Sequence, residues 1–138
     1  MKKTIGYTAG TFDMFHVGHL NLLKHAKERC DYLIVGVNSD ELVRTYKNKD
    51  VVIPLEERMQ IVEAIKYVDE VVRMDTLDKL TAWEQNKFDL IFIGDDWKGS
   101  ERWKKTEEEM AEYGVKVVYL PYTQQTSSTL LREKLLSK

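Results

Sequence analysis

The chain contains little cysteine, proline or glycine: one Cys, two Pro and seven Gly among 138 residues. The single thiol, Cys30, excludes an internal disulfide framework and fits a reducing compartment. No stretch rich in proline, glycine or serine marks a linker, and the sequence shows no internal repeat or low-complexity segment. A chain of this length is expected to build one core, so residues 1–138 are predicted to form one domain.

Long hydrophobic runs and an excess of one charge are also absent. The longest apolar runs, residues 32–37 and 90–94, are far too short to cross a bilayer. Met1, Lys2 and Lys3 precede a short strand-like segment and lack the apolar core of a signal peptide. The formal net charge is −2, whereas a nucleic-acid-binding domain normally carries a basic excess. We therefore expect a cytoplasmic protein that binds neither membrane nor nucleic acid.

Two periodicities alternate along the sequence. Short runs rich in β-branched and aromatic residues predict five strands, near Ile5–Thr8, Tyr32–Val37, Glu70–Arg73, Leu90–Ile93 and Val115–Leu120. Strands that are apolar on both faces and separated by helices are typical of a parallel sheet covered on both sides. The predicted fold class is therefore α/β, a parallel five-stranded sheet with helices on both faces. Ligands of such sheets bind beyond the carboxyl ends of the strands, so we expect chemistry just after Thr8, Val37, Ile93 and Leu120.

The stretches between these strands have helical spacing. Helices are predicted from Val17 to Cys30, from Pro54 to Ile65, from a cap at Asp75 or Thr76 towards Gln85, from Glu101 to Glu112, and from Ser127 to Leu136. Residues 44–53 are the least regular segment. They include Lys47 and Lys49 and are predicted to form a mobile basic loop.

Residues 9–19 carry the clearest chemical signal, because they join the first strand directly to a helix. Gly10 permits a tight turn or the close approach of a phosphate, as does Gly18. A helix that begins near Val17 directs free N–H groups and its positive dipole end at an anion. His16 and His19 are three residues apart, so both rings could face one ligand and stabilise charge on a phosphate.

Two other interpretations of the histidine pair are open. The pair could bind a metal, although no third ligand follows at the spacing of a metal site. It could also consist of helix-end residues without a chemical role. The phosphate interpretation is favoured because a strand end, the Gly-Thr-Phe-Asp segment, both histidines and a helix start coincide.

Residues 10–19, Gly-Thr-Phe-Asp-x-x-His-x-Gly-His, resemble the signature of the HxGH nucleotidyltransferase superfamily. Further segments resemble the bacterial glycerol-3-phosphate cytidylyltransferase family, in order and over nearly the whole chain. They are Glu57-Arg58, residues 67–71 (Tyr-Val-Asp-Glu-Val), residues 94–97 (Gly-Asp-Asp-Trp) and residues 118–121, followed by a Ser/Thr-rich turn. The resemblance implies a Rossmann-like fold, a homodimer, and CTP bound with Mg²⁺, the metal being held through the triphosphate and not by protein ligands.

The resemblance also implies roles for individual residues. His16 and His19 would contact the triphosphate and stabilise the pentacoordinate α-phosphorus, and Lys47 or Lys49 would neutralise phosphate charge. Nucleotide binding is assigned to Gly10, Thr11, Phe12, Asp13, Gly18, Gly94, Asp95, Asp96, Thr123, Ser127, Ser128 and Thr129. Substrate binding is assigned to Arg58, which would hold the phosphate of the acceptor, and to Trp97 and Tyr122. The Ser-Ser-Thr run would also suit an anion on general grounds, because it supplies hydroxyl and backbone donors at a helix start, although a plain N-cap has the same composition.

The implied reaction transfers CMP from CTP to a small alcohol phosphate, with glycerol-3-phosphate as the first choice, and releases pyrophosphate. A phosphate oxygen of the acceptor would attack the α-phosphorus in line, so that catalysis needs positioning and charge stabilisation and no covalent intermediate. The sequence contains no Gly-x-Ser-x-Gly elbow and no Walker motif, which disfavours hydrolases and P-loop enzymes.

The sequence departs from the family pattern after the fifth strand. The family typically has Arg-Thr-x-Gly-Ile-Ser-Thr-Thr there, and residues 122–129 are Tyr-Thr-Gln-Gln-Thr-Ser-Ser-Thr. The phenol of Tyr122 cannot replace the bidentate phosphate clamp of a guanidinium. Either another cation, such as Arg132 or Lys134, substitutes for it, or the acceptor differs.

Three other functions fit parts of the pattern. The closest is an adenylyltransferase of the same superfamily, because the first motif would bind the triphosphate that ATP and CTP share. A non-catalytic nucleotide-binding module is another, although it would not need both histidines. A small flavodoxin-like interaction domain is the third, in which the site residues would be coincidental.

Overall fold

A computed structural model describes residues 3–121 and 134–135 of the chain. Its elements follow the order β1 (Ile5–Gly10), α1 (Val17–Glu28), β2 (Tyr32–Asn38), α2 (Asp40–Lys47), α3 (Leu55–Glu63), β3 (Glu70–Met74), α4 (Lys79–Asn86), β4 (Leu90–Gly94), a 3₁₀ turn (Asp95–Trp97), α5 (Glu101–Ala111) and β5 (Lys116–Leu120). Strands and helices thus alternate as the periodicities predict.

The sheet has five strands in the order β3-β2-β1-β4-β5, and all neighbours pair in parallel. The chain builds outwards from β1 through β2 to β3 and then crosses to β4 on the other side of β1. The strand order therefore reverses between β1 and β4, which is where α/β sheets open a crevice for ligands. This arrangement confirms the predicted parallel, Rossmann-like sheet.

Helices cover both faces of the sheet, each over its own hydrophobic core. One core packs α1 and α3 against the sheet through Leu23, Ala26 and Val62, and the other packs α4 and α5 through Ala82 and Met110. Side chains of β2 alternate between the two cores, since Leu33, Val35 and Val37 face the first and Ile34 faces the second. The prediction of helices on both faces is confirmed.

The sheet packs closely at Gly36 in the centre of β2. A Cβ atom there would lie 2.5 Å from Oη of Tyr7 and 2.7 Å from Cγ of Met74. No larger residue fits without moving these two side chains, so the glycine is required by packing.

Two local predictions were wrong. Residues 44–47 belong to α2 and not to an irregular loop; Ser39 caps this helix by accepting a hydrogen bond from the N–H of Leu42, and Asn48 ends it in the left-handed region at φ 53°. The cap of α4 is Asp78, not Asp75 or Thr76, because the Asp78 carboxylate accepts from the N–H of Leu80. None of the described helices is long and apolar enough to span a membrane.

Candidate active site

A cleft of about 460 Å³ opens at the carboxyl ends of β1, β2 and β4, beside the point where the strand order reverses. Residues of these strand ends, of α2 and of the segments around α4 and α5 line it: Ala9, Gly10, Thr11, Asn38, Tyr46, Lys47, Leu77, Lys79, Ile93, Trp97, Arg102 and Trp103. The lining combines three cations with polar and aromatic side chains. A cleft of this composition suits a small anionic ligand that also carries rings.

The turn between β1 and α1 is held in an unusual conformation. Phe12 and Met14 both have left-handed backbones, with φ of 53° and 51°, which costs non-glycine residues of the order of 1–3 kcal/mol each. The ring of Phe12 is buried in the core shared with α1, and its centroid lies 5.3 Å from that of His19. Burial of Phe12 offsets part of the backbone strain and fixes the histidine ring from one side.

Asp13 fastens this turn to the segment before α3. Its buried carboxylate accepts hydrogen bonds from the N–H of Val52, at 2.8 Å, and of Ile53, at 2.9 Å. Phe12 and Asp13 therefore act on the shape of the turn.

His16 and His19 form a reciprocal cap at the start of α1. Nδ1 of His16 accepts from the N–H of Gly18 at 3.1 Å, and Nδ1 of His19 accepts from the N–H of His16 at 3.2 Å. The two rings stack with their centroids 3.9 Å apart. Because each Nδ1 is an acceptor, each neutral ring carries its proton on Nε2. The turn thus offers two Nε2–H donors from adjacent rings.

Both imidazoles are held in the neutral form. Burial lowers the pKa of His16 below its ordinary value. Burial also lowers the pKa of His19, to about 3, with further contributions from the charges of His16 and Lys47 and an opposing one from Asp13. The pair lies beside the cleft and not in its lining, and Lys47, which does line the cleft, is near enough to act on His19.

Lys47 is the loop lysine that the structure brings to the cleft. It is the last residue of α2, and its Nζ donates to Oγ1 of Thr11 at 3.5 Å. Tyr46 Oη also contacts Thr11 Oγ1, at 3.0 Å, and accepts from Nδ2 of Asn38 at 3.1 Å. Lys49, the other candidate, is exposed beyond the end of the helix.

Arg58 has a different environment from the one that acceptor binding requires. Its side chain is fully buried, and its guanidinium donates to the carbonyls of Ile53, Thr11 and Asn38 at 2.7 Å each and to the carboxylate of Asp40. Four of the five N–H donors of an arginine are then in use. These contacts favour a structural role over the predicted hold on the acceptor phosphate.

A second group of cleft residues was missed by the sequence analysis. Nζ of Lys79 lies 5.7 Å from the ring centroid of Trp103, and the guanidinium carbon of Arg102 lies 5.8 Å from that of Trp97. The pKa of Lys79 is lowered to about 8, mainly by burial and also by the charge of Arg102, with Asp78 opposing them. The signal in the sequence is position, since Lys79 is the first residue of the helix that follows β3.

The remaining predicted site residues divide into two groups. Gly94 precedes the 3₁₀ turn, in which Asp95 and Asp96 are exposed and Trp97 reaches the cleft. Tyr122, Thr123, Ser127, Ser128, Thr129 and Arg132 lie outside the described residues. Their assignments stay predictions.

A family model described as cytidylyltransferase-like matches residues 7–134. The chain belongs to the cytidylyltransferase-like family. The glycerol-3-phosphate cytidylyltransferases of Bacillus subtilis (strain 168) and Bacillus spizizenii are 39% and 40% identical to it, with 98% and 99% of each chain covered. That of Staphylococcus aureus is 33% identical over 100% of this chain and 98% of its own.

Solved structures support the same fold for this cytidylyltransferase-like chain. The lipopolysaccharide core biosynthesis protein of Thermoplasma volcanium superposes with a TM-score of 0.75 at 24% identity, over 91% of this chain and 100% of that one. Pantoate-β-alanine ligase of Francisella tularensis superposes with a TM-score of 0.68 at 16% identity, over 94% of this chain and 65% of that one. At these identities the likeness concerns the fold alone.

The site of this cytidylyltransferase-like chain is therefore suited to chemistry on phosphate groups. It presents neutral donors at a helix start and fixed cations around a small cleft, which together stabilise negative charge on phosphate groups. Among residues 3–121 and 134–135, no group of three or more His, Cys, Asp or Glu side chains is placed to hold a metal ion.

Proposed function

We propose that this chain transfers CMP from CTP to glycerol-3-phosphate, forming CDP-glycerol and releasing pyrophosphate. The observation that carries the proposal is the pair of Nε2–H donors of His16 and His19 beside a cationic cleft, at the strand end where ligands bind. Similarity over nearly the full length to three glycerol-3-phosphate cytidylyltransferases supplies the nucleotide and the acceptor.

The reaction is a single in-line displacement at the α-phosphorus of CTP. A phosphate oxygen of glycerol-3-phosphate forms the new P–O bond, the bond to the bridging oxygen breaks, and pyrophosphate leaves with that electron pair. The attacking phosphate monoester is already anionic near neutral pH, so no side chain has to remove a proton. The protein instead has to hold two anions together and stabilise the charge that builds on the α-phosphoryl oxygens.

Different residues contribute to binding and charge stabilisation at different places around the cleft. His16 and His19 donate through Nε2–H to oxygens of the triphosphate, and because they are neutral they do so without a change of protonation. Lys47 brings a positive charge to the same end of the cleft, next to Thr11. Lys79 brings another from α4, where the acceptor has room to bind.

Magnesium enters this proposal as the counterion of the triphosphate. The lining residues of the cleft that the structure describes are cationic, polar and apolar and include no carboxylate, the protein group that usually binds Mg²⁺, so they suit phosphate oxygens better than the ion itself. Phosphate oxygens of CTP and water would hold the ion. When bound, it neutralises charge on the departing pyrophosphate.

A homodimer is also part of the proposal. Val17 and Val52 are 46% and 52% exposed, and both lie next to the turn that contains Asp13, Val52 through its hydrogen bond to that residue. Both valines expose apolar surface near the site, which a second copy of the chain would cover.

The test is a grid of CTP, ATP, GTP and UTP against glycerol-3-phosphate, glycerol-2-phosphate, phosphocholine and phosphoethanolamine, measured by pyrophosphate release with Mg²⁺ present. We expect release with CTP and glycerol-3-phosphate above every other pair. A preference for ATP would overturn the cytidine assignment in favour of an adenylyltransferase. Binding of nucleotide without release would favour the non-catalytic module.

A further inference from the structure

Arg102 lines the cleft from the first turn of α5. Ser100 caps this helix by accepting from the N–H of Trp103 at 3.3 Å. The next side chain, Trp103, is buried and anchors this turn to the core, while Arg102 itself is exposed and lines the cleft. Its guanidinium lies over the ring of Trp97, at 5.8 Å from the centroid.

Arg102 and Lys79 form a pair of like charges on the same cleft. Burial and, after it, the charge of Arg102 lower the pKa of Lys79. The carboxylate next to Lys79 in the chain, that of Asp78, accepts from Leu80 N–H and Thr81 Oγ1. Within residues 3–121 and 134–135, no ion pair joins Lys79 or Arg102 to a carboxylate. The positive charges of Lys79 and Arg102 can therefore bind an anion.

We propose that Arg102 determines acceptor specificity: together with Lys79 it binds the phosphate of the acceptor and selects for a dianionic monoester. This inference deepens the proposed function and rests on it. A guanidinium presents two parallel N–H donors that match two phosphate oxygens, and the third oxygen is left to attack CTP. Such a clamp also offsets the repulsion between the acceptor and the triphosphate. It comes from α5, whereas the family pattern has its arginine at position 122.

The test compares Arg102→Gln with Lys105→Gln, a control that removes one positive charge from an exposed position of the same helix outside the cleft lining. In Arg102→Gln the KM for glycerol-3-phosphate should rise at least tenfold, the KM for CTP should change less than about twofold, and the melting temperature should stay the same. Loss of a charge-assisted hydrogen bond has an effect of this size. Arg102→Lys should recover part of the affinity. Equal KM values in Arg102→Gln and Lys105→Gln would overturn the proposal.

Selection for a dianion is tested with the sulfate ester of glycerol, a monoanion of similar shape. The wild type should bind glycerol-3-phosphate more tightly than this ester, and Arg102→Gln should lose most of the difference, as measured by calorimetry on the free protein. This measurement needs no turnover. If the wild type binds glycerol-3-phosphate but releases no pyrophosphate, the proposed function fails and the binding comparison still decides the role of Arg102. If the wild type does not bind glycerol-3-phosphate, the role of Arg102 is refuted as well.

Discussion

The two imidazoles at the start of α1 use their two ring nitrogens differently. Nδ1 of His16 and of His19 caps the helix, and Nε2–H is left for a ligand. The sequence predicted the pair and its position, because a strand end, glycines and a helix start meet there. It did not predict the proton position, which depends on a hydrogen bond within the turn.

Substitutions of the histidines should separate capping from catalysis. The amide oxygen of asparagine can accept the backbone N–H that Nδ1 accepts, but asparagine has no donor where Nε2–H lies. We expect His16→Asn and His19→Asn to keep the wild-type melting temperature. We expect His16→Ala to lose about 0.5–2 kcal/mol of stability with its cap.

All of these variants should lower kcat at least about 100-fold, the usual effect of removing a donor to a developing negative charge. Stopped-flow or steady-state pyrophosphate release, paired with thermal melting, measures both effects. Wild-type turnover in a folded Asn variant would remove that histidine from the mechanism.

Lys79 should make the affinity for the acceptor fall at alkaline pH. Its pKa is lowered to about 8, first by burial and then by Arg102, with Asp78 opposing. A lysine binds phosphate only when protonated, so the affinity of the free protein for glycerol-3-phosphate should fall as the pH rises through about 8. Calorimetry across this range measures it. Lys79→Arg should move the fall to higher pH, since arginine stays charged; a limit that stays at the same pH would show that another group titrates.

At the scale of elements, the buried side chain of Arg58 connects the ends of several strands and helices. Arg58 on α3 donates to backbone carbonyls after β1, at the end of β2 and before α3, and to Asp40 on α2. The family resemblance assigned Arg58 to the phosphate of the acceptor. Neither local spacing nor composition shows that its partner is Asp40, because the contact depends on how three elements pack.

Arg58→Lys should therefore act on stability. Lysine has three donors on one nitrogen and cannot reach four acceptors, so buried carbonyls would lose their partners. We expect a loss of at least about 2 kcal/mol in the free energy of unfolding, from denaturant titration. Arg73→Lys, at an exposed arginine of β3, should change it by less than about 0.5 kcal/mol. A raised KM for the acceptor with unchanged stability would instead support the assignment to substrate binding.

Local sequence patterns were sufficient to predict some of the elements but not all of them. All five strands were predicted from short runs of apolar and β-branched residues, and in β1, β2 and β4 these runs are buried or half-buried as such a pattern indicates. Helix α2 was missed although Ser39, Asp40 and Glu41 form a good helix start. It is short and mostly polar, and a search for apolar periodicity passes over such a helix.

At the scale of the whole molecule, the arrangement of strands follows from no local pattern. The sequence indicates a parallel sheet, and the order β3-β2-β1-β4-β5 emerges only in the fold. That order places residues around Lys47 and residues around Lys79 on one cleft although they are far apart in sequence. For the same reason, the sequence predicted the chemistry of the first motif and missed the two cations contributed by α4 and α5.

The proposed homodimer is tested at this scale. Val52→Glu puts a charge on an apolar residue beside the site, and Gln85→Glu adds the same charge to an exposed residue of α4. Light scattering at micromolar concentration should give a dimer mass for the wild type and for Gln85→Glu. Val52→Glu should shift towards the monomer. A monomeric wild type would contradict the dimer.

The division of the cleft between distant parts of the chain has a consequence for how such a protein can change over evolution. His16, His19 and Lys47, which are proposed to contact the triphosphate, come from the first third of the chain, and Lys79 and Arg102, which are proposed to hold the acceptor, come from α4 and α5. Substitutions in these two helices can alter which alcohol phosphate enters without disturbing the residues proposed to contact the triphosphate. We therefore expect descendants of one ancestral chain to keep the nucleotidyl transfer while diversifying in the compounds they activate, with the differences concentrated in α4 and α5.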